Sequence, residues 1–154
     1  MSSERLAFLD WVAARAKEAT PYSWPCTENA YEGKGLTNPL QPAGLDCSGT
    51  VTCGLYVATH GKVDWRREYS AARLHAELQP VESPRPGDLA FYGPPGRVSH
   101  VMVWWGDGRV VGASGGNRHT TSAELARRLG ACVKWKKSHL YRPDFRGFRA
   151  LPLP

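Results

Sequence analysis

The chain has 154 residues, 42% of them hydrophobic and 22% charged, with six tryptophans, twelve prolines and sixteen glycines. This is the composition of a loop-rich globular chain, not a disordered or fibrous one, and the length suits a single domain with its own core. No apolar run approaches a membrane span, and the net charge of +6 is concentrated late, where Arg127, Arg128, Lys134, Lys136, Lys137, Arg142, Arg146 and Arg149 stand against Asp144.

In chain order, Leu6, Leu9, Val12, Ala13 and Ala16 recur at helical spacing. Residues Glu4 to Glu18 are therefore expected to form an amphipathic helix, capped by Ser2 or Ser3 and ended at Thr20-Pro21. Glu4, Arg5 and Asp10 do not suit a secretory signal peptide. A target outside the cytoplasm then implies another route, such as phage-type release or injection. Tyr22 to Pro25 reads as extended. Cys26 to Gly44 is polar, aperiodic and rich in glycine and proline; a loop of this length reads either as the rim or lid of a site or as an inert excursion.

Asp46 is a good N-cap for a helix whose apolar body includes Val51, Leu55, Tyr56 and Val57 and which stops near Gly61. A second, short helix, capped by Ser70, is expected over Ala71 to Leu78. The turn Ser83 to Asp88 launches a strand over Leu89 to Tyr92. Ser99 to Trp105 and Arg109 to Ala113 are the next two strands, joined by the hairpin loop Gly106-Asp107-Gly108. A helix over Ser122 to Leu129 closes at Gly130, Ala131 to Lys136 is a further strand, and 141–154 is expected to be an extended tail over the surface. Helices followed by antiparallel strands predict an α+β fold, with helices packed on a small antiparallel sheet in one domain, 1–154.

The four cysteines are Cys26, Cys47, Cys53 and Cys132. They form no C-x-x-C and have no paired histidine spacing, so no zinc site is expected, and without a signal peptide their thiols are expected to be reduced. Cys47 falls at the first position of its helix, where unpaired N–H groups and the positive end of the helix dipole favour a thiolate. It is a candidate nucleophile, although a small buried cysteine has the same sequence signature. His100 begins a strand; packed across the start of the Cys47 helix, its imidazole would take the thiol proton. A structural histidine at a strand edge is the other reading. The basic C-terminal face suits an anionic wall polymer or is simply solvated, and no basic run is interleaved with aromatics as in a nucleic-acid module.

Asp46-Cys47-Ser48-Gly49, Pro86-Gly87-Asp88-Leu89-Ala90-Phe91-Tyr92 and Ser99-His100-Val101, in this order, resemble the NlpC/P60 family of papain-like cysteine peptidases, which hydrolyse bonds in bacterial peptidoglycan peptides. Pro21-Tyr22-Ser23-Trp24 is similar to the family's upstream aromatic motif and Gly106-Asp107-Gly108 to its hairpin turn. The resemblance implies a papain-like fold with the nucleophile at a helix N-terminus. It implies Cys47 as nucleophile, His100 as base and then acid, and a thioester acyl-enzyme, with no metal or organic cofactor. The implied substrate is a peptidoglycan stem peptide, cut between D-glutamate and a diamino acid. Tyr22 would line the site near the oxyanion, and Asp46 and Ser48 would contact the stem peptide, unless Asp46 is only the helix cap.

Two positions depart from the family pattern. Where the family places a polar side chain to orient the catalytic histidine, this chain has Gly112; Ser114 or Asn117 is the expected substitute, with His119 nearby and a bound water as a third option. The Cys26 to Gly44 segment is also longer than usual, which bears on specificity. Two alternatives remain: a Cys-His amidase or acyltransferase on another substrate, and a non-catalytic wall-binding or phage-tail structural module.

Overall fold

The computed structural model describes residues 1–25 and 32–154. Helix α1 spans Ser3–Lys17, and the Ser2 hydroxyl accepts the Arg5 N–H as its cap. Its buried face is Arg5, Phe8, Leu9, Trp11, Val12 and Arg15, at the three- and four-residue spacing of one helix side. That stripe is rotated from the expected one, and Leu6 is exposed. The rotation follows from Arg5, a fully buried residue whose guanidinium lies 3.1 Å from the Asp88 carboxylate. It also donates to the carbonyls of Pro86, Leu151 and Leu153. A buried guanidinium is tolerable only when its fork of N–H donors is satisfied.

Helix α2 is Cys47–Ala58 and α3 is Ala71–Glu77. The strands are β1 Pro80–Val81, β2 Leu89–Tyr92, β3 His100–Gly106, β4 Arg109–Ser114, β5 Cys132–Lys136 and β6 Phe145–Arg149, with α4, Ala123–Leu129, between β4 and β5. They form one antiparallel sheet in the order β1-β6-β2-β3-β4-β5. The α+β expectation therefore holds. Strand alternation divides β3 between two faces. Val101 and Val103 join Phe8, Val12, Val51 and Leu55 in the core under α1 and α2, while Met102 and Trp104 join Ala90, Tyr92 and Val110 on the opposite face.

The C-terminal segment differs from the surface tail expected of it, because β6 lies inside the sheet between β1 and β2. Its arginines work as internal donors: Arg146 Nε bonds the Gly93 carbonyl at 2.7 Å and Arg149 Nε the His75 carbonyl at 2.9 Å. Phe145 and Phe148 close the outer face of the sheet against Tyr92 and Trp104. The two-residue β1 was not expected either, since its pairing with β6 is entirely non-local.

Arg5→Leu should lower stability by about 3–5 kcal/mol, because it strands the buried Asp88 carboxylate. Arg73→Ala, at an exposed ion pair with Glu77, should cost under about 1 kcal/mol. Urea unfolding of both variants checks the contrast.

Candidate active site

The site begins at the first turn of α2. Asp46 is extended and accepts the Gly49 N–H on Oδ1 at 2.5 Å, so it caps the helix and leaves Cys47 at its first position. Gly49 is small for a steric reason: a Cβ there would lie 1.8 Å from the Gly33 carbonyl oxygen. Gly33 belongs to a 3-10 turn, Glu32–Lys34, and its carbonyl accepts the Asp46 N–H at 3.0 Å. The described part of the long loop is thus sealed against the start of α2. This docking brings in Lys34, which sequence reasoning missed. Its Nζ lies 2.9 Å from each Asp46 oxygen and also bonds the Ser48 hydroxyl. The only sequence signal for it was a lysine bracketed by glycines. Residues 26–31, including Cys26, lie outside the described residues.

Lys34, Asp46, Cys47, Trp24, Tyr69 and Val98 are among the residues lining a cleft of about 420 Å³. Cys47 forms part of that wall yet is only 5% exposed, and the N–H groups of Val101 and Ser48 face its sulfur. Val101 follows His100 on β3, so the start of that strand lies against the first turn of α2. His100 is buried, and its Nε2 lies 2.8 Å from the Tyr141 hydroxyl.

Sequence reasoning offered Ser114 or Asn117 as the partner of that ring. Ser114 is buried and lies near the Tyr141 phenol, but the bond to the ring comes from Tyr141. Asn117 is engaged in its own turn, where Oδ1 accepts the His119 N–H at 2.8 Å and its N–H donates to Thr120 Oγ1; His119 is exposed. At Gly112 a Cβ would lie 2.9 Å from the Met102 sulfur, so a side chain there would require Met102 to shift. Tyr141 was missed because it comes from a distant segment that reads as tail.

Tyr22 is buried, with its N–H on the Ala131 carbonyl and a bridge to Leu45. A Cβ on Gly116 would lie 2.4 Å from its ring, so that glycine makes room for it. Burial raises the Tyr22 phenol pKa, and the negative charges available to Cys47 and Asp46 raise it further.

Burial also sets the protonation of the central pair. It pushes the Cys47 thiol up to about 11, aided by Asp46 and opposed by Lys34 and the two facing N–H groups. It pulls the His100 imidazole down to about 3, with Arg142 and Lys136 adding to the effect and Asp144 opposing it. At rest the thiol and the imidazole are both neutral. Cys47, Cys53 and Cys132 are free thiols. Among the described residues no group of three His, Cys, Asp or Glu side chains is placed to hold a metal ion, and no helix is long and apolar enough to cross a membrane. Much of the late positive charge is internally engaged: Arg142 with Asp144, Arg128 with Glu124, and Lys134 with the Gly130 carbonyl.

Residues 19–129 match the NlpC/P60 family. The peptidoglycan endopeptidase RipB of Mycobacterium tuberculosis is 35% identical over 112 residues, which are 70% of this chain and 44% of RipB. The chain therefore spans less than half the length of that relative. Among solved structures, the NlpC/p60 domain of the peptidoglycan hydrolase SagA superposes with a TM-score of 0.58 at 22% identity, covering 96% of this chain and 98% of that one. RipD of M. tuberculosis, a non-catalytic NlpC/p60 domain protein adapted to peptidoglycan binding, superposes with a TM-score of 0.56 at 22% identity, covering 95% and 98%. At these identities the two structures establish the fold.

The buried neutral imidazole has a consequence for stability. The unfolded chain protonates His100 below about 6.5 and the folded one only near 3. Stability should therefore fall as pH drops through that window, with a contribution of up to about 1.4 kcal/mol per pH unit. In His100→Gln that part of the slope should vanish, as read by urea unfolding at pH 7, 5 and 4.

Proposed function

Because the chain belongs to the NlpC/P60 family, we propose that it is a cysteine endopeptidase that hydrolyses amide bonds in the stem peptides of bacterial peptidoglycan. The observation that carries this reading is the placement of Cys47: first residue of α2, on the wall of the cleft, beside the strand that begins with His100. Similarity to RipB supports the substrate class.

A substrate carbonyl entering the cleft meets a thiol whose proton moves to the imidazole as sulfur attacks, because the resting pair is neutral. With Nε2 on Tyr141, Nδ1 is the nitrogen that receives it. The C–S bond forms and the carbonyl oxygen becomes an oxyanion near the first-turn N–H of Cys47, where the helix dipole is positive. Tyr22 is the side chain assigned to the same region. Collapse breaks the C–N bond, and the imidazolium returns its proton to the leaving amine. Water then attacks the thioester with His100 again as base, releasing a carboxylate and restoring the thiol.

Asp46 fills two roles in this reading. It caps α2, and with Ser48 it presents a polar corner to the cleft whose charge is neutralised by Lys34.

A second reading, a peptidoglycan-binding module without turnover, is favoured by the fold shared with RipD. Purified stem peptides incubated with the protein and with Cys47→Ala separate the two. The endopeptidase reading expects cleavage by the parent, reduced by at least about a thousandfold in the variant. Binding by both proteins with cleavage by neither would establish the module.

A further inference from the structure

We propose that Tyr141 is the positioning residue of His100, holding the ring through Nε2 in place of the orienting side chain that Gly112 lacks. The inference rests on the cysteine-peptidase reading of the site. Its geometric basis is the 2.8 Å contact between His100 Nε2 and the Tyr141 hydroxyl, the length of a full-strength hydrogen bond.

The direction of that bond decides whether His100 can act as a base. If Tyr141 donated to Nε2, the imidazole proton would sit on Nδ1 and no lone pair would face the thiol. A general base at this position therefore requires Nε2–H to donate to the Tyr141 oxygen, which leaves the Nδ1 lone pair for Cys47.

The sheet explains why the partner comes from elsewhere. The β3–β4 register pairs Val103 with Val111, and continued along both strands it sets Ser114 across from His100. The ring is bonded to Tyr141 and not to Ser114, and Gly112 has no side chain. Tyr141 fills the gap from outside the strand pair. It is held in place, with its ring edge-on to Tyr92 at 5.3 Å and Lys136 Nζ 5.0 Å from its centroid. The chain then runs into β6, inside the sheet. Tyr141 lies beyond the family-matched span 19–129, so this part of the site comes from the C-terminal segment.

The test compares the parent and Tyr141→Phe in two readouts. One is the ¹⁵N spectrum of the His100 ring between pH 5 and 8; the other is kcat and KM on a purified stem peptide. The parent should show the neutral Nε2–H tautomer. Tyr141→Phe, which keeps the ring packing, should show mixed tautomers and a kcat lower by about 10- to 100-fold with KM changed less than about threefold. An unchanged tautomer and unchanged kcat in Tyr141→Phe would overturn the proposal. If Tyr141→Phe fails to fold, the parent spectrum decides: an Nδ1–H tautomer there would overturn the proposal. A parent that cleaves nothing sinks the peptidase reading, while the ring spectra still decide whether Tyr141 holds His100.

Discussion

The carboxylate of Asp46 is the point on which the site depends. One of its oxygens caps α2 through Gly49, both face the Lys34 ammonium, and the Asp46 N–H is held by the Gly33 carbonyl. These bonds fix where the helix starts, and the start of the helix fixes where the sulfur of Cys47 sits. They also tie the long loop to Cys47, since Lys34 arrives only because Gly49 leaves room for the Gly33 carbonyl. A cap is commonly worth about 1 kcal/mol. Here it joins local helix chemistry to the wall of the cleft.

The second constraint is burial. Cys47 and His100 sit where water is largely excluded, so each is held in its neutral form. In the proposed mechanism a neutral pair makes proton transfer part of the attack instead of its prelude, and gives the orientation of the imidazole more weight than its charge. That is why the partner of Nε2 matters, and why a phenol kept neutral by burial suits this site. The segment carrying Tyr141 is itself anchored far away. Arg5 binds the carbonyls of Leu151 and Leu153, and β6 lies between two other strands.

Features set by neighbouring residues were legible in the sequence. Asp46 and Ser70 each cap the helix they were expected to cap, and of Ser2 and Ser3 it is Ser2 that caps the first, because an N-cap is a contact across three residues. The turns at Gly108 and Gly130 have the positive φ that glycine favours, and β2 to β5 follow their apolar runs. What escaped was non-local. Arg5 reads as a solvated charge until Asp88 and the C-terminal carbonyls are brought to it. The arginines of β6 mask a strand because they bond carbonyls of other segments. Tyr141 reaches His100 across 41 positions, whereas Ser114 follows from strand alternation beside Gly112 and Asn117 lies just beyond it. Of those two, Ser114 lies near the partner of the ring and Asn117 closes a turn.

The central claim is that Cys47 carries the acyl group. Acid-quenched intact-protein mass spectrometry during turnover of a stem peptide tests it most directly. The account predicts a transient mass increment equal to the acyl fragment, mapped to the peptide containing Cys47 and absent from Cys47→Ala. An adduct on another residue, or cleavage that persists undiminished in Cys47→Ala, would contradict it.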